Sequence, residues 1–275
     1  MKIYNQNINR NRFVYTDEDM PGIVILKHGT AEDTLEGLLK GISESKSADL
    51  QSAFNKAAEM LIQNSILIAG ESQYQIKEVE FYFSSEAHKD PYVHSAQYSN
   101  VNRQFEFGEW YFHRFVTREK YTHNRRGLDL TIGNRALNNS GGILIRGLKS
   151  LADGRYIQGP SNGVKEILTQ LDSYQSDYSI DDLAKATETF VFNVKSPLRI
   201  TSSTNQVSKL LNSKRYGLAA KDDDLNDNYQ NALYRYFDEN YFMKMNGRES
   251  IFRELVERGI YGIHEAKEKI GYNIK

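Results

Sequence analysis

Residues 76–94 read IKEVEFYFSSEAHKDPYVH. Glu78 and Glu80 stand two apart in a strand-like run, Tyr82 follows, and His88 and His94 come after. Carboxylates two apart in a strand point to one face. That face is either a wet outer surface or the wall of a site in which a carboxylate activates water beside aromatic rings. His88, Asp90 and His94 invite a metal, but their spacing matches no recognised ligand pattern. No metal and no cofactor is expected.

The elements that must position these residues are legible from periodicity. SILIAGESQYQIKEVEFYF gives a strand, a turn near Gly70 and a longer strand, which is a hairpin. Further strand-like runs are EWYFHRFV at 109–116, GLDLTIG at 127–133, GGILIRGL at 141–148, TFVFNV at 189–194 and NALYRYFD at 231–238. Two short β-like runs, around RFVY and GIVIL, lie within residues 1–28. Helices are predicted at 34–42 and 48–64, capped by Asp33 and Ser47. Others follow GPSNG near 159–171, at 181–187, at 205–212, and in the terminal stretches 248–258 and 263–270. The pattern is that of one α+β domain with helical extensions at both ends. Residues 1–49 form the N-terminal extension, 50–242 the domain and 243–275 the C-terminal extension.

Composition narrows the classes. The chain has 275 residues, 39% hydrophobic and 26% charged, as expected of a soluble globular protein. With no cysteine, disulfides and cysteine-based zinc sites are excluded. No apolar run approaches the ~18 residues of a membrane-spanning helix, and the first twenty residues lack the apolar centre of a signal peptide. A cytoplasmic protein without a membrane partner is expected. The formal net charge is −1, whereas a dedicated duplex DNA binder is usually more basic. Basic residues nevertheless gather at 118–149, with Arg118, Lys120, Arg125, Arg126, Arg135, Arg146 and Lys149 against Glu119 and Asp129. Such a segment is either a phosphate-binding face or a solvated surface.

The order of the motifs resembles that of the alkylpurine (3-methyladenine) DNA glycosylase family. The matching pieces, over roughly residues 50–240, are AAEMLIQNSILIAG, IKEVEFY, YVHS, GEWYFH, GLDL, GGILIRGL, DGRYIQGPSNGVKEIL, KRYGLAAK and YRYF. The resemblance implies a curved antiparallel sheet with surrounding helices. It also implies cleavage of the bond between a damaged purine and its sugar through an oxocarbenium-like state. Glu80 falls at the family's catalytic position, with Arg146 as the arginine that helps hold the attacking water. Tyr82 matches the stacking tyrosine and His94 the pocket histidine. His113 replaces a second stacking tyrosine, and Asp129 replaces an asparagine on the pocket floor. An ionised Asp129 accepts hydrogen bonds but cannot donate them. The wedge that fills the gap left by a flipped base falls at Phe115–Val116, with Tyr121 of the longer following loop as a substitute. Arg118, Lys120, Arg125 and Arg126 are the expected phosphate contacts.

Four readings follow. The first is a DNA base-excision glycosylase. The second is an N-glycoside hydrolase on the same scaffold acting on a modified nucleotide or single-stranded nucleic acid, which Asp129, His113 and the missing tip aromatic favour. The third is a non-catalytic nucleotide or nucleic-acid binder. The fourth is a helix-mediated interaction protein working through its terminal helices.

Overall fold

In the computed structural model the chain is described over residues 34–94, 103–112, 127–174, 190–205, 207, 209–219 and 226–270. Among them nine strands join in one antiparallel sheet: β1 Ser65–Ala69, β2 Ser72–Ser84, β3 Phe107–Phe112, β4 Leu128–Ile132, β5 Ser140–Ser150, β6 Tyr156–Gln158, β7 Leu198–Ser202, β8 Leu210–Ser213 and β9 Arg235–Asp238. The main path runs β3-β4-β5-β2-β1-β7, with β6 on β5, and β8 on β9. The upper half of β2 pairs with β9 on the edge whose lower half pairs with β1. The helices are α1 Leu35–Ser43, α2 Gln51–Gln63, α3 Pro160–Tyr174, α4 Asn226–Gln230, α5 Arg248–Glu257 and α6 Ile263–Ile270. This is an α+β fold with a strongly curled, half-barrel antiparallel sheet and flanking helices. No helix among the described residues is long and apolar enough to cross a membrane.

The curl brings the two ends of the sheet together. Val191 N donates to Gly108 O on β3 at 2.7 Å, and Ile200 N on β7 donates to Val191 O at 2.8 Å. Trp110 of β3 sends its indole N–H to Leu198 O on β7 at 3.0 Å. Residues 190–195 are therefore a bridge to Glu109 followed by turns, and not the strand expected at 189–194. The strand starts beyond Pro197, whose ring ends the preceding run because it offers no N–H to a ladder.

Period-2 alternation gives the sheet one apolar face. Val79, Phe81 and Phe83 of β2, Ile143 and Ile145 of β5, Leu128, Leu130 and Ile132 of β4, and Trp110 and Phe112 of β3 lie in one buried core. That core includes Leu39 and Ile42 of α1 and Phe54, Ala58 and Leu61 of α2. Fully burying each large side chain is worth about 1.5–3 kcal/mol. Thus α1, inside the predicted N-terminal extension, shares the core of the main domain. Helix α5 has a core of its own, in which its Ile251, Phe252 and Leu255, with Tyr261 beyond it, pack on Leu211 and Phe237.

Other local expectations shift. Leu210–Ser213, which overlaps the helix predicted at 205–212, is a strand paired with β9, because its Leu211 and Ser213 face inward at a period of two. Ser47 is not the cap of α2. The N-cap position is Leu50, without a side-chain bond, and Asp49 Oδ1 instead receives Gln51 N at 3.0 Å. At α1, Thr34 Oγ1 caps Gly37 N at 3.0 Å. Asp33, the β-like runs of residues 1–28 and the predicted helix at 181–187 lie outside the described residues.

Candidate active site

The alternation that sends apolar side chains to one face of the sheet sends polar ones to the other. The strand registers align Tyr111, Asp129, Leu144, Glu80, Arg235 and Ser213 in one cross-strand row. Glu78, Tyr82 and Arg146 flank that row. A bulge in β2 between Ile76 and Glu78 breaks strict alternation, so that Lys77 and Glu78, though adjacent, both leave the apolar face. Both faces are buried, hence the polar row is a buried polar face and not a wet surface.

Glu78 and Glu80 converge on one arginine. Arg146 Nε donates to Glu78 Oε1 at 2.9 Å and its Nη1 to Glu80 Oε2 at 3.1 Å. Arg235 adds a second guanidinium, with Nη2 2.6 Å from Glu78 Oε1 and Nε 3.9 Å from Glu80 Oε1. Two carboxylates therefore face two cations, which offsets most of the cost of burying either alone. Tyr82 OH donates to Glu80 Oε2 at 2.7 Å, and the main-chain N of Tyr216 donates to Glu80 Oε1 at 2.7 Å. Glu80 is 0% exposed and Glu78 is 1% exposed, so both are shut off from solvent.

Electrostatics follow from these contacts. Burial, then the neighbouring Glu80 carboxylate, pushes the Tyr82 phenol well above its ordinary value, so the hydroxyl is a firm donor. Burial works to lower the Arg146 guanidinium, but Glu80 and Glu78 outweigh it and hold the group above its usual range. Tyr156, which donates to Glu78 Oε2 at 3.5 Å, is pushed up by burial and by Glu78.

The other predicted pocket residues form a second cluster. Gln104 Nε2 donates to Asp129 Oδ2 at 2.5 Å, and Gln104 Oε1 accepts the His94 main-chain N–H at 2.8 Å. His94 Nδ1 and Tyr111 OH are 3.4 Å apart. Gly142, on β5 between the two clusters, leaves room for this chain. A Cβ there would come within 2.7 Å of Asp129 Oδ2 and 2.8 Å of Gln104 Nε2. Asp129 and Glu80 are separated by the single strand β5, or roughly 10 Å at ordinary strand spacing. His113, Phe115, Val116, Arg118, Lys120, Tyr121, Arg125 and Arg126 lie outside the described residues.

His88 and Asp90 have separate partners. His88 is buried among Phe54, Phe83, Tyr229 and Tyr234, with Nδ1 2.9 Å from Ala48 O. Asp90 takes both Nη atoms of Arg215, at 2.5 and 3.2 Å. Arg215 also donates to Phe81 O and Tyr229 O and lies over the Tyr82 ring, 4.6 Å from its centroid.

Sequence reasoning missed Arg215, Arg235, Tyr216 and Gln104. Arg235 had a signal, as a charge between aromatics in YRYF, and Arg215 a weaker one beside the single tyrosine of KRYG. Gln104 and Tyr216 had none. One acts through an amide side chain and the other through its main chain, and neither is marked by residue type.

A cavity of about 630 Å³ opens beside the Glu–Arg cluster. Tyr216, Gln158, Asn246, Arg248 and Arg253 are among its lining residues. Asn246 links the two directly, since its carbonyl oxygen accepts from Arg235 Nη2 at 2.8 Å.

The chain matches no family model. It is similar to an uncharacterized protein, L759, of Acanthamoeba polyphaga mimivirus, with 29% identity over 194 residues that span 66% of this chain and 85% of that protein.

Proposed function

We propose that the protein is an N-glycosidase resembling the alkylpurine DNA glycosylases, with DNA as its partner. It would hydrolyse the bond between a damaged or modified purine and its sugar. The observation that carries this reading is the meeting of Glu80, Tyr82 and Arg146 at hydrogen-bond distance on one buried polar face. In the reaction Glu80 accepts a proton from water as the water oxygen bonds to the anomeric carbon. The carbon–nitrogen bond breaks and its electron pair leaves with the base. Arg146 orients the carboxylate and helps hold the attacking water, while the Glu80 carboxylate faces the positive charge that develops on the sugar. Tyr82 holds Glu80 through its hydroxyl.

A second reading has its own support. The cavity beside Tyr216 is of a size that suits a nucleotide, within the usual range for small-ligand sites. Glu80 is enclosed on all sides by donors. The cavity favours a hydrolase or a non-catalytic binder of a modified nucleotide or single-stranded nucleic acid, and the enclosure of Glu80 favours the binder. A panel of alkylated duplex DNA, alkylated single strands and modified nucleotides separates the cases. Release of free base from the duplex, with affinity falling steeply with salt, supports the first reading. Release from nucleotides alone, with a shallow salt dependence, supports a small-molecule hydrolase. Tight binding without release supports the binder, and neither release nor binding refutes both.

A further inference from the structure

Glu80 can activate water only if water can reach it. Its Oε2 is held by Tyr82 OH and Arg146 Nη1, and its Oε1 by the Tyr216 main-chain N–H at 2.7 Å. Glu80 is 0% exposed, so a water that reaches its Oε1 needs one of these groups to move. Tyr82 and Arg146 are fixed from strands within the sheet. Tyr216 is different. The residue is 44% exposed and forms part of the cavity wall, and its ring centroid lies 5.6 Å from the Arg146 guanidinium and 5.4 Å from that of Arg235. The residue before it, Arg215, is locked to Asp90. The residue after it, Gly217, has φ +77°, a conformation open to glycine at little cost. The ring rests against Gly247, where a Cβ would come 2.5 Å from Tyr216 Cδ2, so that site accepts the ring only because it is glycine.

We propose that Tyr216 is a latch on the carboxylate. Its N–H occupies the Glu80 oxygen that water needs, and its ring, stacked on Arg146 and Arg235, keeps that N–H in place. The displacing ligand is a flat heteroaromatic base. Such a base takes over the guanidinium faces by the same cation–π contact and sends the tyrosine ring into the adjoining cavity. The site would then open only when a base is present to be cut. The role of the water rests on the N-glycosidase reading, whereas the closed and open states of Tyr216 do not.

Amide hydrogen exchange at residue 216, measured on the full chain without ligand, tests the latch. Phe81 N, bonded to Tyr234 O at 2.8 Å inside the sheet, is the internal control. The wild-type amide at 216 should be protected. Tyr216→Phe, which keeps a ring on the guanidinia, should stay close to wild type. Tyr216→Ala should exchange about 2- to 30-fold faster after correction for intrinsic rates, the range that one cation–π contact supports. Phe81 should stay unchanged in all three. Unchanged exchange at 216 in Tyr216→Ala overturns the latch, and so does a parallel acceleration at Phe81, which would make the ring a general packing element. A base-release assay on the same variants keeps the two ideas apart. Faster exchange at 216 with no release from any N-glycoside supports the latch and refutes the glycosidase reading. Release with unchanged exchange refutes the latch alone.

Discussion

Replacing Arg146 with methionine removes the cation that joins the two glutamates while keeping an unbranched side chain of similar length. Arg146 is 6% exposed and donates to Glu78 at 2.9 Å and to Glu80 at 3.1 Å. In the variant, two buried carboxylates face Arg235 alone. That guanidinium sits 2.6 Å from Glu78 but 3.9 Å from Glu80, so Glu80 loses its close cation. Stranding a buried charge in this way costs about 3–5 kcal/mol. For a domain of this size that corresponds to a fall in Tm of roughly 6–20 °C. Urea unfolding followed by fluorescence measures it directly, because the single tryptophan, Trp110, is fully buried in the main core. The midpoint should drop with little change in slope. Adding Glu80→Gln to Arg146→Met removes the stranded charge, so the double variant should lose less than the sum of the two single losses, by about 0.5–3 kcal/mol. A loss below about 1 kcal/mol for Arg146→Met, the size typical of an exposed pair, would refute the buried cluster. Strict additivity in the double variant would refute it as well.

Glu80→Gln alone keeps one oxygen where Tyr82 and Tyr216 use two, and it leaves two guanidinia against Glu78. It should cost about 1.5–3 kcal/mol by chemical denaturation, the worth of a hydrogen bond to a charged group. Gly142→Ala drives a Cβ into the Gln104–Asp129 contact, and a loss of about 1–3 kcal/mol is expected in the same assay. His88 is lowered from its ordinary 6.5, first by burial, so the folded state binds its proton less readily than the unfolded chain does. Stability from this group is present above pH 6.5 and is lost as the pH falls toward the folded value. His88→Phe should flatten that part of the stability–pH curve, and an unchanged curve would contradict the assignment.

Much of the frame was legible in the sequence because period-2 alternation was strong in β2, β4 and β5. Apolar positions 79, 81 and 83 alternate with Glu80 and Tyr82, whereas Arg146 was picked out only by the family resemblance. The bulge between Ile76 and Glu78 was not read from the sequence. Strands β8 and the 190–195 bridge were misread because short segments with mixed composition take their form from their neighbours, here β9 on one side and the two ends of the curled sheet on the other. The closed state of Glu80 was not legible at all. Sequence spacing states which side chains share a face, but a main-chain N–H arriving from a residue 136 positions away leaves no mark in residue types.

The central claim is that Glu80 serves as the base for cleavage of an N-glycosidic bond. Mass-spectrometric detection of free base, released by the wild type and by Glu80→Gln from the same alkylated substrates, tests it most directly. Folding of both proteins is verified by their unfolding midpoints. Release by the wild type and none by Glu80→Gln is expected. Equal release by the two proteins, or no release by the wild type from any duplex, single strand or nucleotide, would contradict it.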